Sequence, residues 1–375
     1  MIRIVSSTTG FCYAYVVKPI LFRQSPDNVH RRMIKTAARL QKSPALLRIV
    51  RAIYRYNNGA LEQTIEGIRF KNPVGLSAGL DKNFEILPMV NAIGFGFMEG
   101  GSVTFHPYDG NPRPWFHRLP RSKSLVVNVG LANHGIHEII ARIKKYTRDD
   151  SRDFPINVSI AKTNSLQAAS ENDAIDDYIA SLKELEKAHV GDMYTLNISC
   201  PNTFGGEPFT TPSRLNSLLK ATDQLLLTKP LFIKMPIDLE WLEFKKLTDV
   251  AAKHHVNGLT IGNLAKKRDL VKGELADSIK GNLSGKPTQK LSDELIKQTY
   301  RAYGDRFTII GVGGIFTAED AYTKIKNGAH LVQLITGIIF NGPQAIGRIN
   351  RDLDRLLRRD GYSNISEAVG ENVRS

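Results

Sequence analysis

From Pro73 onward the chain alternates short β-rich apolar runs with longer amphipathic stretches. The runs are Pro73–Ala78, Gly94–Val103, Pro155–Ala161, Met193–Ser199, Leu231–Met235, Gly258–Gly262, Phe307–Val312 and Leu331–Ile338. Between them lie segments with helical spacing, such as Asp238–His255 and Thr317–Asn327. Strands that alternate with helices pair in parallel through crossovers. Eight such units over about 300 residues predict an α/β fold, a (β/α)8 barrel of the TIM type.

The first sixty residues have a different rhythm. Ser25-Pro26-Asp27 predicts a helix start: a capping hydroxyl, proline at the first helical position and an acid near the positive end of the dipole. Val29, Met33, Ala37 and Leu40 then make one apolar stripe. Ser43-Pro44 repeats the start, with Leu46, Leu47, Val50, Ile53 and Tyr54 behind it. The expected organisation is a helical extension over residues 1–60 and a barrel over residues 61–375.

Charge sharpens the view of the extension. The net charge is +14, and the first sixty residues hold eleven Lys and Arg against Asp27 as the single acid. Short amphipathic helices with that asymmetry suit an anionic membrane surface or a nucleic acid. No run of eighteen apolar residues predicts a transmembrane helix. With two cysteines, Cys12 and Cys200, no disulfide framework is possible, and no CxxC or HExxH spacing marks a metal site. The nine histidines are scattered, and His254-His255 reads as a surface pair.

The polar residues near strand ends carry the candidate chemistry. Ser77, Lys82, Ser102, Asn157, Asn197, Cys200, Lys234, Asn263, Gly313-Gly314 and Thr336-Gly337 all fall there. In a barrel those positions converge on one mouth. Glycine turns after strands seven and eight suit a phosphate held by backbone N–H groups. Lys234, ending strand five, needs an electron-rich partner if buried. Cys200, in NISCPNT, reads either as a small apolar filler or as a base; a free thiol near pKa 8.5 would supply an appreciable thiolate fraction at neutral pH.

The stretches NPVGLSAGLDKN, GNPRPWFHRL, NISCPNT, IKMPIDL, NLSGKP, IIGVGGI and LVQLITGIIF resemble dihydroorotate dehydrogenases, from about Tyr15 to the last helix. The segment YVVKPILFRQSPDNVH resembles the helical extension of the membrane-associated, quinone-using class 2 enzymes. The resemblance implies an FMN flavoprotein that oxidises dihydroorotate to orotate in pyrimidine biosynthesis. It implies that Ser77, Ala78, Gly79, Ser102, Asn157, Lys234, Ser284, Gly285, Gly313, Gly314, Thr336 and Gly337 hold FMN. Lys82, Asn128, Asn197, Asn202 and Asn263 would hold the substrate, with Lys82, Asn197 and Asn263 reaching both. Cys200 falls at the catalytic base. His30 and Arg118 would line the quinone approach. The implied location is peripheral, on the cytoplasmic face of a bacterial membrane or on the mitochondrial inner membrane of a eukaryote.

Several positions depart from the family. Class 2 enzymes use serine as base, whereas this chain joins a class 2 extension to the cysteine of class 1. The Asn-x-x-Gly loop is one residue short at Asn128-Val129-Gly130, Leu264 stands where threonine is usual, Ile335 replaces a tyrosine that faces the quinone, and FGGEPF after NISCPNT fits neither class. Two rivals remain open at this point. A tRNA dihydrouridine synthase is also an FMN barrel with a cysteine before proline, although the charge concentrated on the extension argues against nucleic acid. The other is a flavin- or quinone-binding membrane protein without turnover.

Overall fold

The computed structural model describes residues 8–147, 153–204 and 206–374. Eight parallel strands close into a barrel: β1 (Val74–Leu76), β2 (Phe97–Val103), β3 (Ile156–Ile160), β4 (Met193–Asn197), β5 (Leu231–Met235), β6 (Gly258–Ile261), β7 (Thr308–Val312) and β8 (Leu331–Leu334). Each strand is bonded to its sequence neighbours, and β8 closes on β1 through Val332↔Val74 and Leu334↔Leu76. The predicted (β/α)8 barrel is the observed one.

The barrel is stoppered at its lower end. Phe97, Met193, Phe232, Ile310 and Leu331 fill the interior, and the hairpin of Gln63–Ile65 with Ile68–Phe70 covers them with Ile65 and Phe70. Gly75 leaves room for this plug, because a Cβ there would lie 2.3 Å from the Phe97 ring. Ligands therefore enter from the other end.

Two structures stand over that end. One is an antiparallel sheet of Phe116–Leu119, Ser124–Val127 and Asn282–Gly285, which brings together segments about 160 residues apart. The other is the helical N-terminus: α1 (Lys18–Phe22) after a π-helical turn at Tyr13–Val17, α2 (Pro26–Leu40) and α3 (Pro44–Tyr54). Both proline starts fall where the sequence predicts. Ser43 caps α3 by accepting from Leu46 N at 3.3 Å, whereas Ser25 makes no capping bond. Asp27 is buried and accepts from Trp115 N at 3.0 and 3.2 Å, so it ties the start of α2 to the barrel.

Two further expectations are corrected. The run Leu331–Ile338 is a strand only to Leu334; a helix occupies Thr336–Asn341. Continuous apolar runs carry no periodicity that separates strand from helix. His254 is not a surface residue: it is 8% exposed, its Nδ1 lies 2.7 Å from Asp223 Oδ2 and its Nε2 3.1 Å from Asn216 Oδ1. A polar ring can be buried when both nitrogens find partners.

Candidate active site

A cavity of about 560 Å³ runs from the strand ends at the barrel mouth to the underside of α2 and α3. Its floor is a polar network. Side chains two apart on a strand share a face, so Thr195 and Asn197 on β4 point inward together, as do Phe232 and Lys234 on β5. Asn263 Nδ2 donates to Asn197 Oδ1 and to Ser199 Oγ, both at 3.0 Å. Asn197 Nδ2 donates to Ser102 Oγ at 2.8 Å, and Ser102 Oγ meets Ser159 Oγ at 2.8 Å. Asn157 Nδ2 donates to Thr195 Oγ1 at 2.8 Å. Each amide is thereby oriented before any ligand arrives.

Lys234 is 4% exposed, which rules out a lysine reaching for solvent. Its Nζ lies 3.3 Å from Glu99 Oε1 and 3.4 Å from Ser77 Oγ. Glu99, on β2, is the electron-rich partner in the protein itself, and sequence reasoning missed it. The available sign was an acid inside the apolar run FMEGGSV: a carboxylate buried in a strand demands a cation.

The far side of the cavity is shaped by absent side chains. Gly313 and Gly314 have φ of 115° and 72°. A Cβ on Gly337 would lie 2.1 Å from Ile315 O. Ser284 Oγ and Thr336 Oγ1 meet beside them at 2.8 Å. Backbone can approach a ligand closely here.

Cys200 is half-buried just beyond β4. Burial pushes its thiol up to about 11; the Asn202 N–H, Lys234 and Lys162 act in the opposite direction, and Glu207 adds to the rise. The appreciable neutral-pH thiolate expected from the free amino acid is therefore corrected, because desolvation disfavours the charged form. Asn202 is pinned from three sides: Nδ2 donates to Val127 O at 2.9 Å, Oδ1 accepts from Asn282 Nδ2 at 2.7 Å, and its carbonyl accepts from Asn111 Nδ2 at 3.0 Å. Lys82 Nζ donates to Gly79 O at 2.8 Å and sits 5.4 Å over the Phe116 ring. Burial brings its pKa down to about 8.

The roof is apolar, with Val29, Met33, Ala37, Val50 and Ile335 on the cavity wall. His30 lies 5.4 Å from the Phe116 ring and is held neutral by burial, with Lys82 and Arg113 adding to the effect. Arg118 Nη1 donates to Gln24 O at 2.7 Å, and the guanidinium lies 4.7 Å over Phe22. Tyr13 donates to Ile339 O at 2.6 Å, and burial pushes its hydroxyl up to about 12. It is a wall residue for which the sequence pattern held no clue.

Of the residues singled out in the sequence, Ser77, Ala78, Gly79, Lys82, Ser102, Asn197, Cys200, Asn202, Lys234, Asn263, Ser284, Gly285, Gly313, Gly314, Thr336, Gly337, His30 and Arg118 all line this cavity. Asn128 and Asn157 do not. Asn128 Oδ1 accepts from Asn111 Nδ2 at 3.2 Å beside the wall, and Asn157 lies fully buried beneath the floor. Among the described residues no cluster of His, Cys, Asp and Glu could hold a metal ion.

The family profile described as dihydroorotate dehydrogenase matches residues 60–357. The chain is 34% identical to dihydroorotate dehydrogenase (quinone) of Crocosphaera subtropica over 97% of its length and all of the relative's. It is 35% identical to the enzyme of the same name from Deinococcus deserti, over 96% of this chain and all of that one. A solved structure of DHODH from Eimeria tenella, in complex with ferulenol, superposes with a TM-score of 0.83 at 28% identity, covering 93% of this chain and 96% of that one. These matches set aside the RNA-modifying alternative. Sequence, fold and cavity agree that the chain belongs to the dihydroorotate dehydrogenase family.

Proposed function

We propose that this chain oxidises dihydroorotate to orotate with bound FMN and passes the electrons to a quinone at a membrane surface. The observation that carries the reading is the Asn263–Asn197–Ser102 network, with Cys200 and Lys234 in the same cavity. The residues present fit the cofactor. Both amide atoms of Gln333, which lines the cavity, are buried and without a hydrogen-bond partner among the described residues, and the Gly313-Gly314 and Gly337 backbone leaves a cradle that side chains would fill. Ser284, Gly285, Gly313, Gly314, Thr336 and Gly337 would hold the phosphate end; Ser77, Ala78, Gly79, Ser102 and Lys234 would hold the ring, with Asn157 beneath them. When bound, FMN supplies the hydride acceptor.

The protein's part is positioning and proton transfer. Asn197, Asn202 and Asn263 orient the substrate ring, with Asn128 behind the wall, and the Lys82 ammonium pairs with its carboxylate. The Cys200 thiolate takes the proton from the carbon next to a ring carbonyl, while hydride leaves the neighbouring carbon. Lys234, paired with Glu99, is one of the residues that would hold the ring at the floor. Relatives named for quinone, together with the apolar roof bearing His30 and Arg118, support the acceptor.

Membrane association rests on the N-terminus. Phe11, Tyr15, Val16, Ile20, Met33 and Ile49 are exposed among its basic residues. Among the described residues no helix is long and apolar enough to cross a membrane. Such helices lie in the interface instead. Anaerobic dihydroorotate should bleach the flavin, and a quinone should restore its colour faster than fumarate or NAD does. A flavin that dihydroorotate leaves oxidised would favour a protein without turnover. Sedimentation with anionic vesicles at low salt tests the surface.

A further inference from the structure

The loop that carries Cys200 is gripped by the segment that follows β3. Lys162 is 4% exposed, and its Nζ donates to Phe204 O at 3.0 Å. Asn164 is 5% exposed; its Oδ1 accepts from Phe204 N at 2.6 Å and its Nδ2 donates to Gly130 O at 2.9 Å. The N–H and the C=O of one residue are thus held by two side chains of a neighbouring loop. Thr163, between them, anchors the grip by donating from both N and Oγ1 to the buried carboxylate of Asp177.

One carbonyl is a poor return for burying an ammonium. Among the described residues no carboxylate lies within ion-pair distance of Lys162. Its charged neighbours are Asp177 and Cys200. Cys200 in turn faces Lys162, Lys234 and Glu207. Lys234 is already paired with Glu99, and Glu207 with Lys266. Of the two lysines that act on the thiol, Lys234 acts the more strongly although paired with Glu99, and Lys162 is the one without an ion pair among the described residues, Asp177 being its strongest charged influence.

We propose that Lys162 is a positioning residue for the reaction: with Asn164 it fixes the Phe204 peptide, and hence the loop bearing Cys200, and its ammonium favours the thiolate over the thiol. The proposal rests on Cys200 being the base. It accounts for how a desolvated thiol is made usable beside a floor whose other cation is already paired with Glu99.

The test uses the FMN-loaded full chain with Cys12→Ser, which leaves Cys200 as its single thiol. Alkylation by iodoacetamide is followed against pH. The midpoint reports the thiolate; the high-pH plateau reports access. Lys162→Met should move the midpoint up by about one pH unit and shift the pH profile of flavin reduction the same way, with FMN content kept. Lys162→Arg should restore most of both. Asn164→Ala, which leaves the charge in place, should raise the plateau with the midpoint nearly unmoved. An unmoved midpoint in Lys162→Met overturns the electrostatic role. Should that variant not fold, an unraised plateau in Asn164→Ala still overturns the clamp. Cys200→Ala in the same background separates the two readings: flavin reduction at the parent rate removes the base assignment, while the alkylation midpoints stand independently of it.

Discussion

The floor and the roof of the cavity are built on opposite principles. On the floor, Asn263, Asn197, Ser102 and Ser159 hold one another in a chain of bonds between 2.8 and 3.0 Å, the last three buried on strands and Asn263 just beyond one. On the roof, Val29, Met33, Ala37 and Val50 present apolar surface, and α3 has no fully buried residue. A side chain lost from the floor strands a partner, which costs about 1–3 kcal/mol per unsatisfied group. One lost from the roof forfeits contact area, at about 25 cal/mol per Å². Chemistry that depends on direction lies on the first surface, and recognition by shape on the second.

The largest expected effect is on the floor. Cys200→Ala should retain FMN and bind orotate yet slow flavin reduction by roughly 10²–10⁴, the usual worth of a general base. Stopped-flow reduction within a few-fold of the parent rate would mean that the thiol is packing. Next, Gly337→Ala would push a Cβ to 2.1 Å from Ile315 O. Overpacking of that kind costs about 1–3 kcal/mol, read as a lower Tm and loss of flavin on dialysis; an unchanged Tm would show the cradle to be pliable.

Lys82 gives the pH dependence. Its pKa of about 8 means that the ammonium is present below that pH and is lost above it. Orotate should therefore bind about tenfold more weakly at pH 9 than at pH 7, and isothermal titration that finds no weakening excludes Lys82 as the carboxylate's partner. The smallest effect belongs to the roof. Ile335→Tyr adds one hydroxyl to the cavity wall that Arg118 also lines, worth about 0.5–1.5 kcal/mol, and should lower the quinone KM a few-fold with flavin reduction unaltered. A change in reduction rate instead would show that floor and roof are not separable.

What the sequence revealed follows the same division. Residue types with a stereotyped local task were legible: prolines opening α2 and α3, glycines at Gly313-Gly314, amides at strand ends. Partnerships across the barrel were not. Glu99 meets Lys234 from 135 residues away, and His254 is buried by Asp223, 31 residues earlier. The sheet of Phe116–Leu119, Ser124–Val127 and Asn282–Gly285 stayed hidden because its outer strands belong to distant segments of the chain. The Cys200 thiol was misjudged for a related reason. Its ordinary titration is a property of the residue, whereas its desolvation belongs to the assembled loop.

The apolar stopper at the lower end has a bearing on which substitutions the chain can accept. Phe97, Met193, Phe232, Ile310 and Leu331 secure the barrel a full layer away from the reacting groups. Substitutions at the mouth therefore leave this closing layer in place, whatever they cost locally. A chain built this way can accept changes at mouth positions such as 200 and 335 while the layer that closes the barrel stays intact.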